Sequence, residues 1–268
     1  MDMYFCPLYS GSSGNALFCQ AGNTRVLIDA GKPGRSIEDA LRLLDVAPET
    51  LDALLITHEH SDHILGAGVL ARRYGLPVYA THGTWLGMED KIGRIPLEQR
   101  REIAAGRGFL LGELGVEPFS IPHDAADPVG FRLWSGEASV ATATDLGHFP
   151  REVYERIAGS SLILLESNHD PDMLRANPHY SAPLKQRILG ARGHLSNETC
   201  AEALLALIRA GTRSIILGHL SGENNTPELA MRVAAAALER EEIRPGADVQ
   251  LRVALRDQTG EPCRIRVS

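Results

Sequence analysis

The chain has 268 residues, of which 44% are hydrophobic and 23% charged, with a net charge of −7 at pH 7. That usage is ordinary for a folded globular protein and excludes wholesale disorder. The longest apolar runs, such as residues 161–165, fall far short of the ~20 residues that span a bilayer, and residues 1–5 carry neither a basic segment nor a long apolar one. A protein of the cytoplasm with no membrane partner is therefore expected, and the acidic balance argues against one that coats nucleic acid by bulk charge.

Short β-rich runs alternate with helical stretches along the chain. Residues 24–29 read as a strand that ends in Asp29 and a Gly-rich turn. A helix follows, with Ser36 as its cap and Ile37, Ala40, Leu41 and Leu44 on one face. Residues 53–56 form a buried strand whose end delivers His58; a helix over 64–74 then stops at Gly75, and 78–81 is the next strand. The second half repeats the theme: strand 139–144 leads to Asp145, 162–165 to Glu166 and 214–217 to His219. Ser196 or Asn197 caps a helix through Ile208, and Thr226-Pro227-Glu228 starts another. Residues 250–255 and 263–267 are expected as a closing pair of strands. Polar residues that can bind metal thus recur where strands end, which is where α/β architectures place their sites.

Thr57-His58-Glu59-His60-Ser61-Asp62-His63 is the strongest signal in the chain. In His58-x-His60 alternate residues of an extended segment point the same way and suit one ion. Asp62 and His63, at the turn into the next helix, suit a second. Buried His and Asp need partners, and no core packing calls for four of them in six residues. Two cations ~3.5–4 Å apart are usually bridged by a carboxylate. Asp145 is the candidate, and His123 and His219 would each complete one ion. Cys6, Cys19, Cys200 and Cys263 lack metal-type spacing and read as reduced thiols.

The order LIDAG, THEHSDH, a lone His, ATDLG and LGHLS resembles the metallo-β-lactamase superfamily, and within it the YycJ-like branch related to ribonuclease Z and other phosphodiesterases. Further strings carry the branch: residues 10–15 (SGSSGN), 165–170 (LESNHD), 184–188 (LKQRI), 193–197 (GHLSN) and 218–225 (GHLSGENN). The resemblance implies an α/β fold, an αββα sandwich of two mixed β-sheets with helices on the outer faces, built as a single domain over 1–268. It implies that His58, His60 and His123 hold the first ion and Asp62, His63 and His219 the second, with Asp145 bridging and Asp29 supporting from behind. The stretch between Asp145 and His219 leaves no room for a large inserted nucleic-acid-clamping domain.

Two divalent cations (zinc, manganese or iron, since the set holds no thiolate) lower the pKa of a shared water toward neutrality. On a phosphodiester, that hydroxide would attack phosphorus in line. Asp62, His194 and His169 are the catalytic candidates. His194, in a string that resembles the accessory His-Ser/Thr motif of ribonuclease Z, would protonate the leaving alkoxide; its bland role is at a helix N-terminus. His169 would hydrogen-bond His194 or a phosphate, or serve structure alone. Ser13 and Asn15, in a Gly-spaced loop that is either a phosphate cradle or a plain turn, are substrate candidates together with Asn168, Lys185, Arg187 and Asn225. The basic stretch 91–107 offers further phosphate contacts or solvated charge, and the loop around 88–108 is expected to wall the site. The sequence assigns no role to His82, His148 or His179. The expected function is a dinuclear phosphodiesterase or exonuclease acting on DNA or RNA. Hydrolysis of a small cyclic phosphodiester, thioester or lactone is the alternative.

Overall fold

Strand-forming runs rich in Val, Ile, Leu and Phe give the chain its frame, seen in a computed structural model described for residues 2–266. The chain divides into two compact units: Met1–Ser120 with Ala125–Ser139 and Leu255–Ser268, and Ile121–Asp124 with Val140–Ala254. In chain order the elements of the first are β1 (Met3–Tyr9), β2 (Ala16–Ala21), β3 (Thr24–Ile28), α1 (Gly34–Leu43), β4 (Ala53–Leu55), α2 (Ser61–Ile64), α3 (Ala67–Tyr74), β5 (Val78–Thr81), α4 (His82–Ile92), β6 (Arg100–Ile103), β7 (Phe109–Leu111), β8 (Leu114–Ser120) and β9 (Val129–Ser135). Those that follow are β10 (Ala138–Ala143), α5 (Arg151–Ile157), β11 (Leu162–Glu166), α6 (Pro171–Ala176), α7 (Ala182–Leu189), α8 (Asn197–Arg209), β12 (Ser214–Gly218), α9 (Pro227–Arg240) and β13 (Gln250–Val253); β14 (Cys263–Ile265) returns to the first unit.

The strands make two seven-stranded sheets, ordered β14-β1-β2-β3-β4-β5-β6 and β13-β12-β11-β10-β9-β8-β7. Each is mixed. Strands β3 to β6 run parallel while β1, β2 and β14 pair antiparallel; β10 to β13 run parallel while β7 to β9 form an antiparallel meander. Parallel strands covered on both faces read as continuous apolar runs, and β4 and β11 are buried along their whole length. In the first unit Leu27, Leu54, Ile56, Ile37, Leu41, Leu70 and Met88 belong to one core cluster, each large apolar side chain contributing on the order of 2 kcal/mol by leaving water. In the second, helix α8 buries Leu204 and Leu207, and α9 buries Leu238.

Several boundaries differ from the sequence reading. Helix α1 begins at Gly34 with Pro33 at its cap and no side-chain cap bond, so Ser36 lies inside it. The helix expected over 64–74 starts only at Ala67, and Ile64 instead ends the separate short helix α2. The break falls at Gly66, whose N–H donates to Ala30 O (2.7 Å) and where a Cβ would lie 2.4 Å from Lys32 O. Its end at Gly75, with φ of 67°, is as expected. Strands β13 and β14 are not partners: β13 joins β12 in parallel and β14 pairs β1. The expected second strand reaches Val267, which lies outside the described residues. Among the described residues no helix is long and apolar enough to cross a membrane.

Candidate metal centre

The first unit carries the His-rich motif directly after β4. Asp29, one residue past β3 and in the left-handed region (φ 61°), is the hub that orders it. Its Oδ1 accepts the Thr57 N–H (2.8 Å), and its Oδ2 accepts the Thr57 hydroxyl (2.9 Å) and the Nδ1–H of His63 (2.7 Å). A ring nitrogen facing a carboxylate must carry the proton, so His63 is the Nδ1–H tautomer with its Nε2 lone pair available. The Thr57 hydroxyl has spent its one hydrogen on Asp29. Its oxygen, 3.0 Å from His58 Nδ1, must therefore accept from that ring as well. His58 and His63 are thus both set to offer Nε2. The His58 ring centroid lies 4.6 Å from that of His60 and 4.0 Å from that of His63.

Asn15 closes the back of the loop. Its N–H donates to Asp62 O (2.8 Å), its Oδ1 accepts Gly11 N–H (3.0 Å), and its Nδ2 lies 3.2 Å from Asp62 O and 3.1 Å from His63 Nε2. The amide therefore sits on the lone pair that a cation would take. Gly31 is required beside it, because a Cβ there would fall 1.7 Å from Asp62 O. Glu59, between the two histidines, accepts Ala126 N–H at Oε1 (2.8 Å), and its carbonyl accepts Lys91 Nζ (3.0 Å).

The second unit assembles its residues from separate strand ends. Asp145 follows β10 and His219 follows β12, both in left-handed backbone (φ 64° and 53°). That conformation is costly for residues other than glycine and concentrates at functional sites. The Oδ1 of Asp145 lies 3.3 Å from His219 Nε2 and 3.7 Å from His123 Nε2. His123 donates Nδ1–H to Gly193 O (3.2 Å), which leaves the Nε2 lone pair available to a cation. Donor atoms spaced 3.3–3.7 Å match the edge, ~3.4 Å, of a tetrahedron with metal–ligand bonds of ~2.1 Å. The donor chemistry and spacing in this unit fit a divalent cation.

His194 has Nδ1 2.7 Å from Glu166 Oε1 and 3.7 Å from Asp145 Oδ1, and its ring stacks on His219 with centroids 5.4 Å apart. The other oxygen of Glu166 accepts the N–H groups of Leu146 (2.7 Å) and Leu195 (3.1 Å). Glu166 thus ties the Asp145 loop to the His194 loop. The sequence reading noted it as a strand end and gave it no role; an acid closing an apolar strand was the available signal.

Several expected substrate contacts are occupied by the protein itself. Asn168 Nδ2 donates to His219 O (2.9 Å), and Asn225 Nδ2 donates to Ser167 O (2.8 Å) and Asn197 Oδ1 (2.9 Å). These buried amides, like Asn15, shape the loops under the ligands. Asn197, which Ser167 also contacts (2.7 Å), reads in sequence only as a cap alternative. Ser13 is exposed and accepts Lys32 Nζ (3.2 Å). Lys185 donates to Arg175 O (2.7 Å), and Arg187 pairs with Asp124, next to His123. His169 is buried but bonds neither His194 nor, at either ring nitrogen, any other described residue; burial pushes its pKa down to about 4. The 88–108 stretch is less a loop than the end of α4, a short turn and the edge strand β6, and it meets the motif through Lys91. His82 faces Glu102 (3.1 Å) and His148 faces Ala191 O (3.0 Å) on the surface.

A model of the β-lactamase superfamily domain matches residues 24–220. The chain belongs to the metallo-β-lactamase superfamily. Within that superfamily it is 39% identical over 246 residues to exodeoxyribonuclease WalJ of Streptococcus pneumoniae, covering 91% of each chain. It is likewise 39% identical over 239 residues to exodeoxyribonuclease YycJ of Bacillus anthracis, covering 89% of this chain and 90% of the relative. The metallo-β-lactamase-fold protein YhfI of Bacillus subtilis superposes with a TM-score of 0.71 at 16% identity, over 98% of this chain and all of YhfI. This likeness shows the superfamily's fold, with its two mixed sheets and outer helices.

Proposed function

We propose that the protein is a metal-dependent exodeoxyribonuclease. The reading is carried by the 2.7 Å His194–Glu166 pair beside Asp145, in a chain 39% identical to two exodeoxyribonucleases. A phosphodiester's alkoxide leaving group needs a proton, and an imidazole placed next to a bridging carboxylate can give one. His58, His60 and His123 would hold one divalent cation, Asp62, His63 and His219 the other, and Asp145 both. Zinc, manganese and iron all suit this His/carboxylate set. Bound there, the cations would activate water and neutralise charge on the phosphate.

The chain's own residues do the positioning. Asp29 and Thr57 fix the tautomers of His58 and His63, and Gly193 O fixes that of His123. Glu166 accepts from Nδ1 of His194 and so leaves Nε2 to carry the transferred proton. The two units are read as halves of one domain, since the family match at residues 24–220 runs through both. Four buried free cysteines support a reducing, cytoplasmic setting.

The test is cleavage of a 5′-labelled single-stranded DNA oligonucleotide and its RNA counterpart, with manganese or zinc, by wild type, Asp62→Ala and His194→Ala. Stepwise shortening of the DNA, abolished by Asp62→Ala and slowed by His194→Ala, is the expected result. Turnover of bis-p-nitrophenyl phosphate with neither nucleic acid cleaved would overturn the reading in favour of a small phosphodiester.

A further inference from the structure

The first unit holds a second feature suited to nucleic acid, beside β6 and distinct from the ligand residues. A surface groove of about 500 Å³ is lined by Tyr79, Arg101, Glu102, Arg107 and Phe109, among others. Tyr79 and Phe109 stack face to face, with centroids 5.1 Å apart and planes inclined by 5°. Tyr79 and Arg101 are register partners on β5 and β6 and so project from the same face of the sheet. Among the described residues, Arg101 donates through Nη1 only to the main-chain oxygens of Glu98 (2.7 Å) and Arg100 (2.9 Å). The Arg107 side chain is exposed and forms no hydrogen bond or ion pair among the described residues. The groove's carboxylate, Glu102, faces His82 (3.1 Å).

Charge points the same way. Residues 71–110 contain seven Lys and Arg against four Asp and Glu, a net of +3 in a chain of net −7. Arg100 is already engaged, over the Trp85 ring and with Glu89 (2.9 Å), whereas in the groove Arg101 meets only main-chain oxygens and Arg107 no partner among the described residues. Strands β4, β5 and β6 run parallel with Leu55, Tyr79 and Arg101 level. Their C-terminal ends therefore share one margin of the sheet. The metal-binding motif leaves β4 at that margin, and residues 104–108 leave β6 there, two strand spacings or roughly 10 Å across.

Resting on the exodeoxyribonuclease reading, we propose that this groove is the track for single-stranded DNA leading away from the metal centre. Phosphates lie against Arg101 and Arg107, and an unstacked base extends the Tyr79–Phe109 stack. Cationic grooves with aromatic platforms take single strands in this way because every base has a π-face, whereas a duplex keeps its bases stacked internally. Exposed arginines on an edge strand also discourage strand-to-strand pairing between molecules, and the experiment separates the two roles.

Steady-state cleavage would be measured with the metal-loaded full chain on a thymidine dinucleotide and on an oligothymidylate of about 8 nucleotides, a length within single-strand site sizes. Hydrolysis of bis-p-nitrophenyl phosphate, too small to reach the groove, runs in parallel. The double variant Arg101→Ala/Arg107→Ala should raise KM for the longer DNA about tenfold or more and reduce the salt slope of log KM by about 1.4, two phosphate contacts' worth. Phe109→Ala should raise the same KM about fivefold or more. Neither should alter turnover of the dinucleotide or the small ester, which also reports that the variants are folded. Wild-type KM and salt slope in the variants would overturn the track and leave edge protection as the arginines' role. Failure of the wild type to bind or cleave the longer DNA while it hydrolyses the small ester would instead remove the exodeoxyribonuclease reading itself, and the track with it.

Discussion

The two units build their candidate ligand arrays in opposite ways. In the first, four ligand-type residues sit within one six-residue segment, and Asp29 with Thr57 sets the tautomers of two of them. In the second, His123, Asp145 and His219 come from three separate places. Asp145 and His219 stand in left-handed backbone, and the loops are tied by Glu166 and a set of buried asparagines. A contiguous array needs one short brace. A dispersed array needs a network, and here the network also carries His194, the proposed proton donor.

The largest expected effect tests that last point. His194→Ala should lower kcat on DNA by about 10²- to 10⁴-fold, the range for losing a general acid. On bis-p-nitrophenyl phosphate, whose leaving group departs without a proton, the loss should be far smaller. Equal losses on the two substrates would reduce His194 to part of the network alone.

His169 makes the dispersed unit the acid-sensitive one. Its pKa is pushed down to about 4 by burial, ahead of the opposing pull of Glu166, with His194, Asp170 and Arg175 also acting on it. The unfolded chain, with a histidine near the ordinary 6.5, takes up the proton first. Stability is therefore complete above pH 6.5, falls as pH drops toward 4, and levels off below that. The full loss is on the order of 3 kcal/mol. Chemical denaturation of the metal-free protein at pH 7 and pH 4 should show this loss, and His169→Leu should remove most of it. An identical acid loss in the variant would assign the sensitivity elsewhere.

The same contrast governs what the sequence reveals. Four ligand types in six residues stand out against any core or surface pattern, so the motif and the β4 strand that delivers it were legible. Asp145 and His219 were legible because each ends an apolar strand. The roles of Asn15, Asn168 and Asn225 were not, since an asparagine in a loop looks the same whether its amide faces a phosphate or a carbonyl. Only the fold shows that theirs face Asp62 O, His219 O and Ser167 O. The break at Gly66 and the parting of β13 from β14 escaped for a related reason. Both depend on partners distant in sequence, Ala30 in one case and β12 and β1 in the others.

Asp29→Asn and Glu166→Gln set the two braces against each other. In the first variant the amide offers one acceptor oxygen where the Asp29 carboxylate serves Thr57 and His63 with two, so metal affinity should fall about 10- to 100-fold. Glu166 accepts from His194 and from two backbone N–H groups, and it is not itself assigned as a ligand. Its Gln variant should keep near-normal metal content and lose kcat on DNA. Metal titration by calorimetry beside DNA kinetics reads both, and a matching loss of metal in the two variants would show that the arrays are braced alike.

The smallest effect sharpens the account of the contiguous array. Lys91 donates to the carbonyl of Glu59, inside the motif, from the last turn of α4. If the Asp29–Thr57 brace is sufficient, this outer contact contributes only an ordinary charged hydrogen bond. Lys91→Met should then cost about 1–2 kcal/mol of stability and leave metal affinity unchanged. A fall in metal affinity as large as that of Asp29→Asn would mean that the loop is held from both sides. The 88–92 segment would then belong to the metal site rather than stand beside it.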